Sequence, residues 1–285
     1  MGSLEFGSHV SASGGVDLSI PRAAALEMTA CQIFTKNERQ WNAKPLDPGV
    51  IDRFKSNWQG AGLKQVVAHD SYLINVASPD EALWARSKAA LMHELERCDQ
   101  LGVPYLVSHP GAHVGSGVEA GIERVAKAIN EIHRETPEGK AIVLIETTAG
   151  QGTALGRTFE EIASIIAQLD DKSRIGVCLD TCHIFAAGYD IRDQASYDET
   201  MASFDEVIGL DRLKCIHLND SQKGLGSRVD RHAHIGQGEI GAAGFGFIVN
   251  DPRLAGLPGI LETPKENDDE EDKMNLATLR GLINA

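Results

Sequence analysis

The sequence predicts an α/β protein built as a single (β/α)8 barrel. Two observations lead to this fold class: eight short apolar runs alternate with longer amphipathic stretches, and most of the apolar runs end in a polar side chain. Eight alternating β and α units in about 250 or more residues are typical of this architecture. We expect the whole chain, residues 1–285, to form one domain.

The predicted strands are short and apolar throughout, as expected of a parallel sheet that is buried on both faces. They are LEFGS, ACQIFT, QVVAH, YLVSH, AIVLIE, IGVCLD, KCIH and GILE, beginning near residues 4, 30, 65, 105, 141, 175, 214 and 259. A doubly wound open sheet is the alternative architecture. The sequence disfavours it, because no GxGxxG motif follows the first strand.

Helical patterns lie between the strands. Residues 78–102 open on Ser-Pro-Asp-Glu and close on a glycine that can cap a helix C-terminus. The stretches SGVEAGIERVAKAINEIHRE and RTFEEIASIIAQLD place apolar residues three and four positions apart, which is the spacing of one helix face. The acidic run ENDDEED, residues 266–272, is interpreted as a solvated helix start, because carboxylates stabilise helix N-termini.

Composition restricts the class of protein. The formal net charge of −14 argues against nonspecific nucleic-acid binding through a basic surface. The chain has no run of about 18 apolar residues, and its start lacks the segments of a secretory signal. Five cysteines without a CxxC motif are interpreted as reduced thiols. We therefore expect a cytoplasmic protein that binds no membrane, and a monomer because no coiled-coil heptad is present.

The ends of the predicted strands carry side chains that can bind metals. Six strands end in a histidine or a carboxylate, and these residues are His69, His109, Glu146, Asp180, His217 and Glu262. In a (β/α)8 barrel all six would point into one mouth at the carboxyl-terminal rim, where such barrels hold their chemistry. One histidine after a strand is usually structural, but six such coincidences predict a metal site at this rim.

Three further candidate ligands stand near these ends. His183 lies three residues beyond Asp180, so we expect it past the strand end, where it can serve another ion. Asp230 and His232 are two residues apart, and in an extended chain that spacing points both side chains the same way. Nine ligands suggest about three ions, because a catalytic zinc takes about three protein ligands. Imidazole and carboxylate donors suit zinc, with manganese or iron as alternatives.

Several stretches resemble those of a known family. LDTCHIFAAGYD and HLNDSQKGLGSRVDRHAHIGQG closely resemble signatures of the endonuclease IV family, the type-2 AP endonucleases of base-excision repair. SHVSASGG, FTKNERQW and HDSYLIN resemble further family stretches in the same order, so the resemblance covers essentially the whole chain. It implies a TIM barrel with a trinuclear zinc site that cleaves double-stranded DNA 5′ to an abasic sugar. The products would be a 3′-hydroxyl and a 5′-deoxyribose phosphate, and in a bacterium the enzyme would associate with the nucleoid.

The resemblance also assigns the nine candidate ligands to three zinc ions. The ligands of the first ion are His69, His109 and Glu146. The second ion shares Glu146, and its other ligands are Asp180, His217 and Glu262. The ligands of the third ion are His183, Asp230 and His232. The resemblance thus implies that Glu146, Asp180 and Glu262 are the catalytic carboxylates.

Candidate DNA contacts are assigned partly by the resemblance and partly by charge. Arg39, Tyr72 and Leu73 match the family's side chains that enter the DNA at the lesion. From chemistry alone, Tyr72 and Leu73 are equally compatible with a cap on the barrel, and Arg39 with a solvated arginine. Arg228 and Arg231 are candidate phosphate partners because of their charge and their place in the glycine-containing stretch HLNDSQKGLGSRVDRHAHIGQG, residues 217–238.

Four other polar residues have less specific interpretations. Asp220 and His234 are interpreted either as side chains that orient metal ligands or as polar packing at the rim. His9, at the end of the first strand, points to the same rim and could contact DNA. His133 lies on a helical pattern, where a solvated or packed histidine without a functional role is expected.

Other functions are compatible with parts of the pattern. A sugar isomerase or epimerase on the same barrel also uses carboxylates and histidines around a divalent metal, but it needs fewer ions and gives no reason for the SRVDRH loop. A nonenzymatic DNA-damage binder with structural zinc would bind abasic DNA without nicking it. A metal phosphoesterase for small molecules would ignore the duplex. The nuclease itself could also trim blocked 3′ ends.

Overall fold

Parallel strands form the centre of the structure, a computed structural model that describes residues 3–266 and 269–284. The strands are β1 (Glu5–Ser8), β2 (Ala30–Phe34), β3 (Gln65–His69), β4 (Tyr105–Ser108), β5 (Ile142–Glu146), β6 (Ile175–Asp180), β7 (Leu213–His217), β8 (Asp220–Ser221), β9 (His232–Ala233) and β10 (Pro258–Leu261). Strands β8 and β9 form an antiparallel hairpin, and the other eight form the barrel. Each barrel strand begins within one residue of its predicted start. The predicted (β/α)8 barrel is confirmed.

The barrel closes between its first and second strands. The hydrogen-bonded order is β1-β10-β7-β6-β5-β4-β3-β2. His9 and Gln32 form a parallel bridge across the remaining seam. On the same seam the backbone N–H of Thr29 donates to Phe6 O at 2.9 Å, and that of Val10 donates to Gln32 O at 2.8 Å. These bonds join the two edges that an open sheet would leave unpaired, so the doubly wound alternative is wrong.

Helices follow the strands and cover the outside of the barrel. They are α1 (Ser19–Ala25), α2 (Pro48–Gly60), α3 (Glu81–Leu101), α4 (Val118–Glu135), α5 (Phe159–Ala167), α6 (Thr181–Ala187), α7 (Gln194–Val207), α8 (Gly241–Val249) and α9 (Glu270–Gly281). Helix α6 is a short addition directly after β6. The boundaries of α3 follow its sequence signals: the Asp80 carboxylate accepts a hydrogen bond from Leu83 N, and Gly102 ends the helix with a φ of 78°.

The acidic helix start predicted for residues 266–272 lies partly outside the described residues, which omit positions 267 and 268. Within the described part, α9 begins at Glu270 with three acidic residues in its first turn. One of these acids is not solvated, since Asp272 is only 2% exposed. Its carboxylate accepts hydrogen bonds from Ser8 Oγ and Lys265 Nζ, each at 2.7 Å. The expectation of a fully solvated run is therefore wrong, because this carboxylate is paired beneath the surface.

Side chains along the strands alternate between the barrel axis and the surrounding helices. One buried layer across the axis consists of Ala30, Val67, Val107, Leu144, Cys178, Cys215 and Ile260. The next inward position, two residues further along each chain segment, is occupied by Gln32, His69, His109, Glu146, Asp180, His217 and Glu262. The period-two alternation thus places a polar layer on an apolar floor, facing one mouth.

A larger apolar cluster fills the space between the strands and the helices. Its largest buried side chains include Phe54, Phe159, Phe204 and Phe245. All five cysteines lie among the described residues and are buried and unpaired. No helix within the described ranges combines the length and the apolar character needed to cross a bilayer. The outer core holds the strands in register and thereby fixes the positions of the side chains at the mouth.

Candidate metal centre

The first group of candidate ligands surrounds Glu146 at the end of β5. His69 Nε2 lies 3.2 Å from Glu146 Oε2, and His109 Nε2 lies 2.9 Å from the same oxygen. The potential ligand atoms of all three residues lie within 4.8 Å of one another. His69 and Glu146 are buried, whereas His109 is partly exposed at the mouth. These three side chains could hold one ion at the solvent-facing side of the polar layer.

Glu146 also belongs to the second group, with Asp180, His217 and Glu262, whose potential ligand atoms again lie within 4.8 Å of one another. His217 Nδ1 lies 3.1 Å from Glu146 Oε1 and 3.2 Å from Glu262 Oε2. Asp180 is the last residue of β6 and faces the same space. Glu146 therefore presents one carboxylate oxygen to each group, which is the arrangement required of a bridging ligand.

The third group consists of His183, Asp230 and His232. His183 stands in the first turn of α6, past the end of β6, and the other two belong to the loop that forms the hairpin. His183 Nε2 lies 3.2 Å from Asp230 Oδ2, and His232 Nε2 lies 3.3 Å from Asp230 Oδ1. The side chain of Asp230 is 42% exposed. The structure thus brings all nine predicted ligands together in three adjacent groups.

Backbone carbonyls orient three of the imidazole rings. The pairs are His69 Nδ1 with Asp70 O at 2.9 Å, His183 Nδ1 with Thr147 O at 2.8 Å, and His232 Nδ1 with Glu262 O at 3.1 Å. Because a carbonyl oxygen only accepts hydrogen bonds, each Nδ1 donates its proton. Nε2 is then the nitrogen of each ring whose lone pair can bind a metal.

Two polar residues that hold the ligands were missed by the strand-end pattern. Gln32 Oε1 accepts a hydrogen bond from His217 Nε2 at 2.8 Å, and Gln32 Nε2 donates to Glu262 Oε1 at 2.6 Å. Asn219 Nδ2 donates to Asp180 Oδ2 at 2.7 Å. Both amides are fully buried. A polar amide at an inward position of an otherwise apolar strand is the sequence signal that identifies Gln32.

The electrostatics of the site favour ionised carboxylates beside positive charge. Burial opposes the ionisation of Glu146, but the imidazoles of His109 and His217 hold the pKa of its carboxyl well below its usual range. Burial likewise opposes the ionisation of Glu262, and His217 again holds its pKa well below the usual value. Buried carboxylates of this kind need a positive partner, and cations bound among them would supply it.

The donor set fits zinc. Neighbouring donor atoms within the three groups are separated by 2.9–3.8 Å. Tetrahedral zinc with bonds of about 2.0–2.1 Å places its ligand atoms roughly 3.3 Å apart. His232 Nε2 is buried and makes no hydrogen bond to the residues that the structure describes, although it lies 3.3 Å from Asp230 Oδ1. A buried ring nitrogen without a hydrogen-bond partner, close to a carboxylate, suits a metal ligand.

The mouth above these groups is a cavity of about 350 Å³. Tyr72 lines it and is 67% exposed, and its ring meets Phe34 edge-on with the centroids 5.6 Å apart. Leu73 is partly buried beside it. A groove of about 1110 Å³ adjoins the cavity and shares His9, Phe34 and Lys265 with it. Of the predicted inserting residues, Tyr72 therefore stands beside the candidate ligands that line the same cavity, next to a large open groove.

The arginines predicted to contact DNA lie on exposed loops. Arg39 follows β2 and its side chain is 87% exposed, with Nε 3.4 Å from Glu38 Oε1. Arg228 and Arg231 are exposed in the loop between β8 and β9. Arg228 adopts a φ of 55°, which is uncommon for a residue with a side chain and is often found at functional sites. Arg231 Nη1 donates to Asp230 O at 2.6 Å, so its guanidinium group is held beside the third ligand group.

Asp220 holds this loop together. Its carboxylate accepts hydrogen bonds from the backbone N–H groups of Gly236, Gly238, Ile240 and Gly241 at 2.9–3.3 Å. The residue is fully buried. Of the two interpretations offered by the sequence, polar packing at the rim describes Asp220, and the packing fixes the segment that carries the third ligand group.

The remaining rim histidines differ in their surroundings. His9 reaches the edge of the second group, with Nδ1 3.0 Å from Gln32 Nε2 and 3.6 Å from Glu262 Oε1. His234 Nδ1 lies 3.1 Å from Asn275 Nδ2, in the segment after β9. His9 is therefore placed to support the candidate ligands, whereas His234 contacts Asn275 of helix α9.

The fold and the site together define a class of protein. Residues 20–281 match the family model described as the xylose isomerase-like TIM barrel. The chain is thus a TIM-barrel protein of this class, with a histidine and carboxylate centre at the carboxyl ends of its strands.

Closer relatives identify the family. The probable endonuclease 4 of Chloroflexus aurantiacus is 56% identical over 278 residues, which cover 98% of both chains. The crystal structure of endonuclease IV from Thermus thermophilus superposes with a TM-score of 0.87 at 39% identity and covers 98% of both chains. This chain belongs to the endonuclease IV family, and the resemblance of its sequence motifs is confirmed.

The sugar-epimerase alternative is supported by the fold alone. A crystal structure of D-psicose 3-epimerase from Clostridium cellulolyticum matches with a TM-score of 0.69, covering 99% of this chain and 97% of that one. Its sequence identity is 16%, so the likeness shows a shared barrel and carries no inference about the substrate. The high identity to endonuclease IV relatives favours the nuclease over the epimerase.

Proposed function

We propose that this AP endonuclease hydrolyses the phosphodiester bond 5′ to an abasic site in double-stranded DNA, using three zinc ions held at the barrel mouth. The observation that carries the proposal is the set of three adjacent ligand groups, two of which share Glu146. We extend the proposal to the whole chain, residues 1–285, as one endonuclease domain that acts as a monomer in the cytoplasm.

The three ligand groups would each hold one ion. The residues of the first would be His69, His109 and Glu146; of the second, Glu146, Asp180, His217 and Glu262; and of the third, His183, Asp230 and His232. Donors of this kind suit zinc, with manganese or iron as alternatives at one or more positions. Zinc in such a site activates water at neutral pH and neutralises the charge that develops on the reacting phosphate.

The reaction exchanges one phosphorus–oxygen bond for another. The oxygen of a water molecule bonds to phosphorus, and the bond between phosphorus and the 3′-oxygen breaks. The departing oxygen takes a proton and becomes a 3′-hydroxyl, and the abasic sugar keeps a 5′-phosphate. In this proposal Glu146, Asp180 and Glu262 are the catalytic carboxylates, because they would hold the ions that activate water and neutralise the charge on the phosphate. The same centre would trim a blocked 3′ end, since that reaction breaks the same kind of bond.

In this proposal the protein selects an abasic site because the nucleotide without a base is the easiest to turn out of the duplex. A phosphate in a regular duplex does not reach a barrel mouth, and turning a nucleotide out of the helix costs least where the base is already missing. Tyr72 and Leu73 would fill the gap in the stack, with Arg39 on the neighbouring loop. The exposure of Tyr72 above the cavity supports this role. Arg228 and Arg231 would contact backbone phosphates.

The nature of the nicked product tests the proposal. Purified protein of known zinc content is incubated with an end-labelled duplex carrying one tetrahydrofuran abasic analogue, which resists β-elimination. The proposal predicts a nick 5′ to the analogue with a 3′-hydroxyl, lost on prolonged chelation and restored by zinc. Tight binding without a nick at three zinc ions per chain would contradict it in favour of a nonenzymatic binder. Full turnover of a ketose with one or two ions would instead favour the epimerase.

A further inference from the structure

Gln32 joins two candidate ligands of the second group to each other. Its Oε1 accepts from His217 Nε2 at 2.8 Å, and its Nε2 donates to Glu262 Oε1 at 2.6 Å. The second proton of that Nε2 faces His9 Nδ1 at 3.0 Å. The residue is fully buried, and its backbone is fixed by pairing of β2 with β3 and by the bridge to His9. Both N–H donors and the carbonyl oxygen of the amide are thus used.

This hydrogen-bonding pattern allows one orientation of the amide. If the amide of Gln32 were turned over, its oxygen would face the carboxylate of Glu262, and two acceptors would meet without a proton between them. The observed orientation therefore makes His217 Nε2 the protonated nitrogen. Nδ1, which lies 3.1 Å from Glu146 Oε1 and 3.2 Å from Glu262 Oε2, is then the nitrogen that would bind an ion.

His217 differs in this respect from the three rings held by the backbone. Those rings donate through Nδ1 to carbonyl oxygens, which no side-chain substitution removes. The ring of His217 is turned the other way and is held by a side chain on another strand, 185 residues away in sequence. One substitution at Gln32 therefore addresses the orientation of one candidate ligand group while leaving the other two groups intact.

We propose that Gln32 is a positioning residue, which fixes the tautomer and ring orientation of His217 and the carboxylate orientation of Glu262 for the second ion. The inference rests on the proposed function, because it concerns one of the three proposed ions. Hydrogen-bond partners of metal ligands commonly contribute about 10–100-fold to metal affinity. Loss of the Gln32 amide should therefore weaken one ion selectively.

Two variants distinguish the hydrogen bonds of the Gln32 amide from the space that its side chain fills. Gln32→Met keeps the length of the side chain and removes both hydrogen bonds to the ligands. Gln32→Asn keeps the amide but shortens the side chain by one methylene, so the amide cannot reach both His217 and Glu262. Because asparagine is polar like glutamine, this variant is used if Gln32→Met does not fold. Zinc affinities are measured by competition with a chromophoric chelator, and the melting temperature is measured with and without zinc.

A matched control removes a hydrogen bond that involves none of the candidate ligands. Thr200 lies on α7, is buried, and donates to Asp190 O at 2.8 Å. Thr200→Val keeps the shape of that side chain and removes the bond. It should lower the melting temperature of the metal-free protein while leaving every zinc affinity unchanged.

The expected result is three ions on the wild-type protein and, in both Gln32 variants, one ion weakened about 10–100-fold with the other two unchanged. The gain in melting temperature on adding zinc should shrink, and turnover should fall with the weakened ion. Wild-type affinity for all three ions in both variants would overturn the role of Gln32, as would equal weakening of all three. Fewer than three ions on the wild-type protein would overturn the three-ion proposal itself.

Discussion

A side chain's position along its strand decides whether it reaches the candidate metal centre. Val67 and His69 are two residues apart and both face the barrel axis, but Val67 packs in the apolar floor while His69 meets Glu146. His133 is also buried, yet it lies on α4, and neither of its ring nitrogens has a hydrogen-bond partner within the described part of the chain. Burial of a histidine alone therefore does not identify a ligand.

Replacing Glu146 by glutamine tests the bridging carboxylate. Glutamine keeps the size of the side chain but has one oxygen and no charge, so it cannot bridge two ions. We expect kcat/KM on an abasic duplex to fall at least about a hundredfold, and the number of bound zinc ions to fall below three. Glu199→Gln, at an exposed position of α7, is the control. Near-normal cleavage by Glu146→Gln would refute the bridging role.

Replacing Tyr72 by alanine tests the inserting side chain. Because the ring is largely exposed, the free energy of unfolding should change by less than about 0.5 kcal/mol. Stacking of an aromatic ring on a base contributes about 1–3 kcal/mol, so KM for the abasic duplex should rise about 5- to 150-fold. Ile283→Ala removes another exposed apolar side chain and should leave KM unchanged. An unchanged KM for Tyr72→Ala would contradict a contact with DNA.

At the scale of elements, the loop between β7 and α8 depends on one buried carboxylate. The Asp220 carboxylate accepts hydrogen bonds from four backbone N–H groups that lie 16–21 residues downstream. In Asp220→Asn an NH2 group would face some of these donors. Hydrogen bonds to a charged group contribute about 1.5–3 kcal/mol each, so we expect a loss of about 3 kcal/mol in the free energy of unfolding.

Denaturant unfolding of the metal-free protein measures this loss, and Asp52→Asn, at an exposed position of α2, provides the comparison. The same substitution should weaken the zinc ion bound nearest Asp230 and His232, because the loop carries both residues. Unchanged unfolding and unchanged zinc affinity in Asp220→Asn would show that the loop holds its shape without this carboxylate.

Helix α4 carries an acid-sensitive group, His133. Burial lowers the pKa of its imidazole from 6.5 to about 4, with a further contribution from Arg174. The unfolded chain therefore binds a proton more readily than the folded protein between these values, so stability falls as the pH drops from 6.5 towards 4. Each pKa unit corresponds to about 1.4 kcal/mol. His133→Gln should therefore reduce the decrease in the free energy of unfolding over this pH range by up to about 3 kcal/mol.

The measurement is the free energy of unfolding of the metal-free protein at several pH values between 7 and 4. The half-buried His93 on α3 provides the control substitution His93→Gln. The pH dependence should be flatter for His133→Gln than for wild type. Parallel curves for the two proteins would show that the protonation of His133 does not oppose folding.

At the scale of the whole molecule, the barrel could be predicted because its strands are largely buried and mostly apolar. The candidate ligands could be predicted because they end those strands. Gln32 and Asn219 could not, since they acquire their roles from partners that folding brings from distant segments, whereas the packing role of Asp220 was one of two interpretations of the sequence. Only the alternation along β2, which places Gln32 two residues after Ala30, hints at one of them.

The charge of the whole chain also bears on DNA binding. The formal net charge is −14, and three divalent ions would change it to −14 + 6 = −8. The added positive charge would be concentrated at the mouth, beside the exposed guanidinium groups of Arg39, Arg228 and Arg231. DNA would then be attracted to the rim by local charge, although the molecule as a whole repels it.

The central claim is that nine side chains hold three ions that act together on one phosphodiester. Its most direct test is to add zinc stepwise to the metal-free protein and to measure bound zinc and nicking of a tetrahydrofuran duplex in the same samples. The account predicts that nicking rises steeply only as the bound zinc approaches three ions per chain. Full activity with one ion per chain, or no nicking with three ions bound, would contradict it.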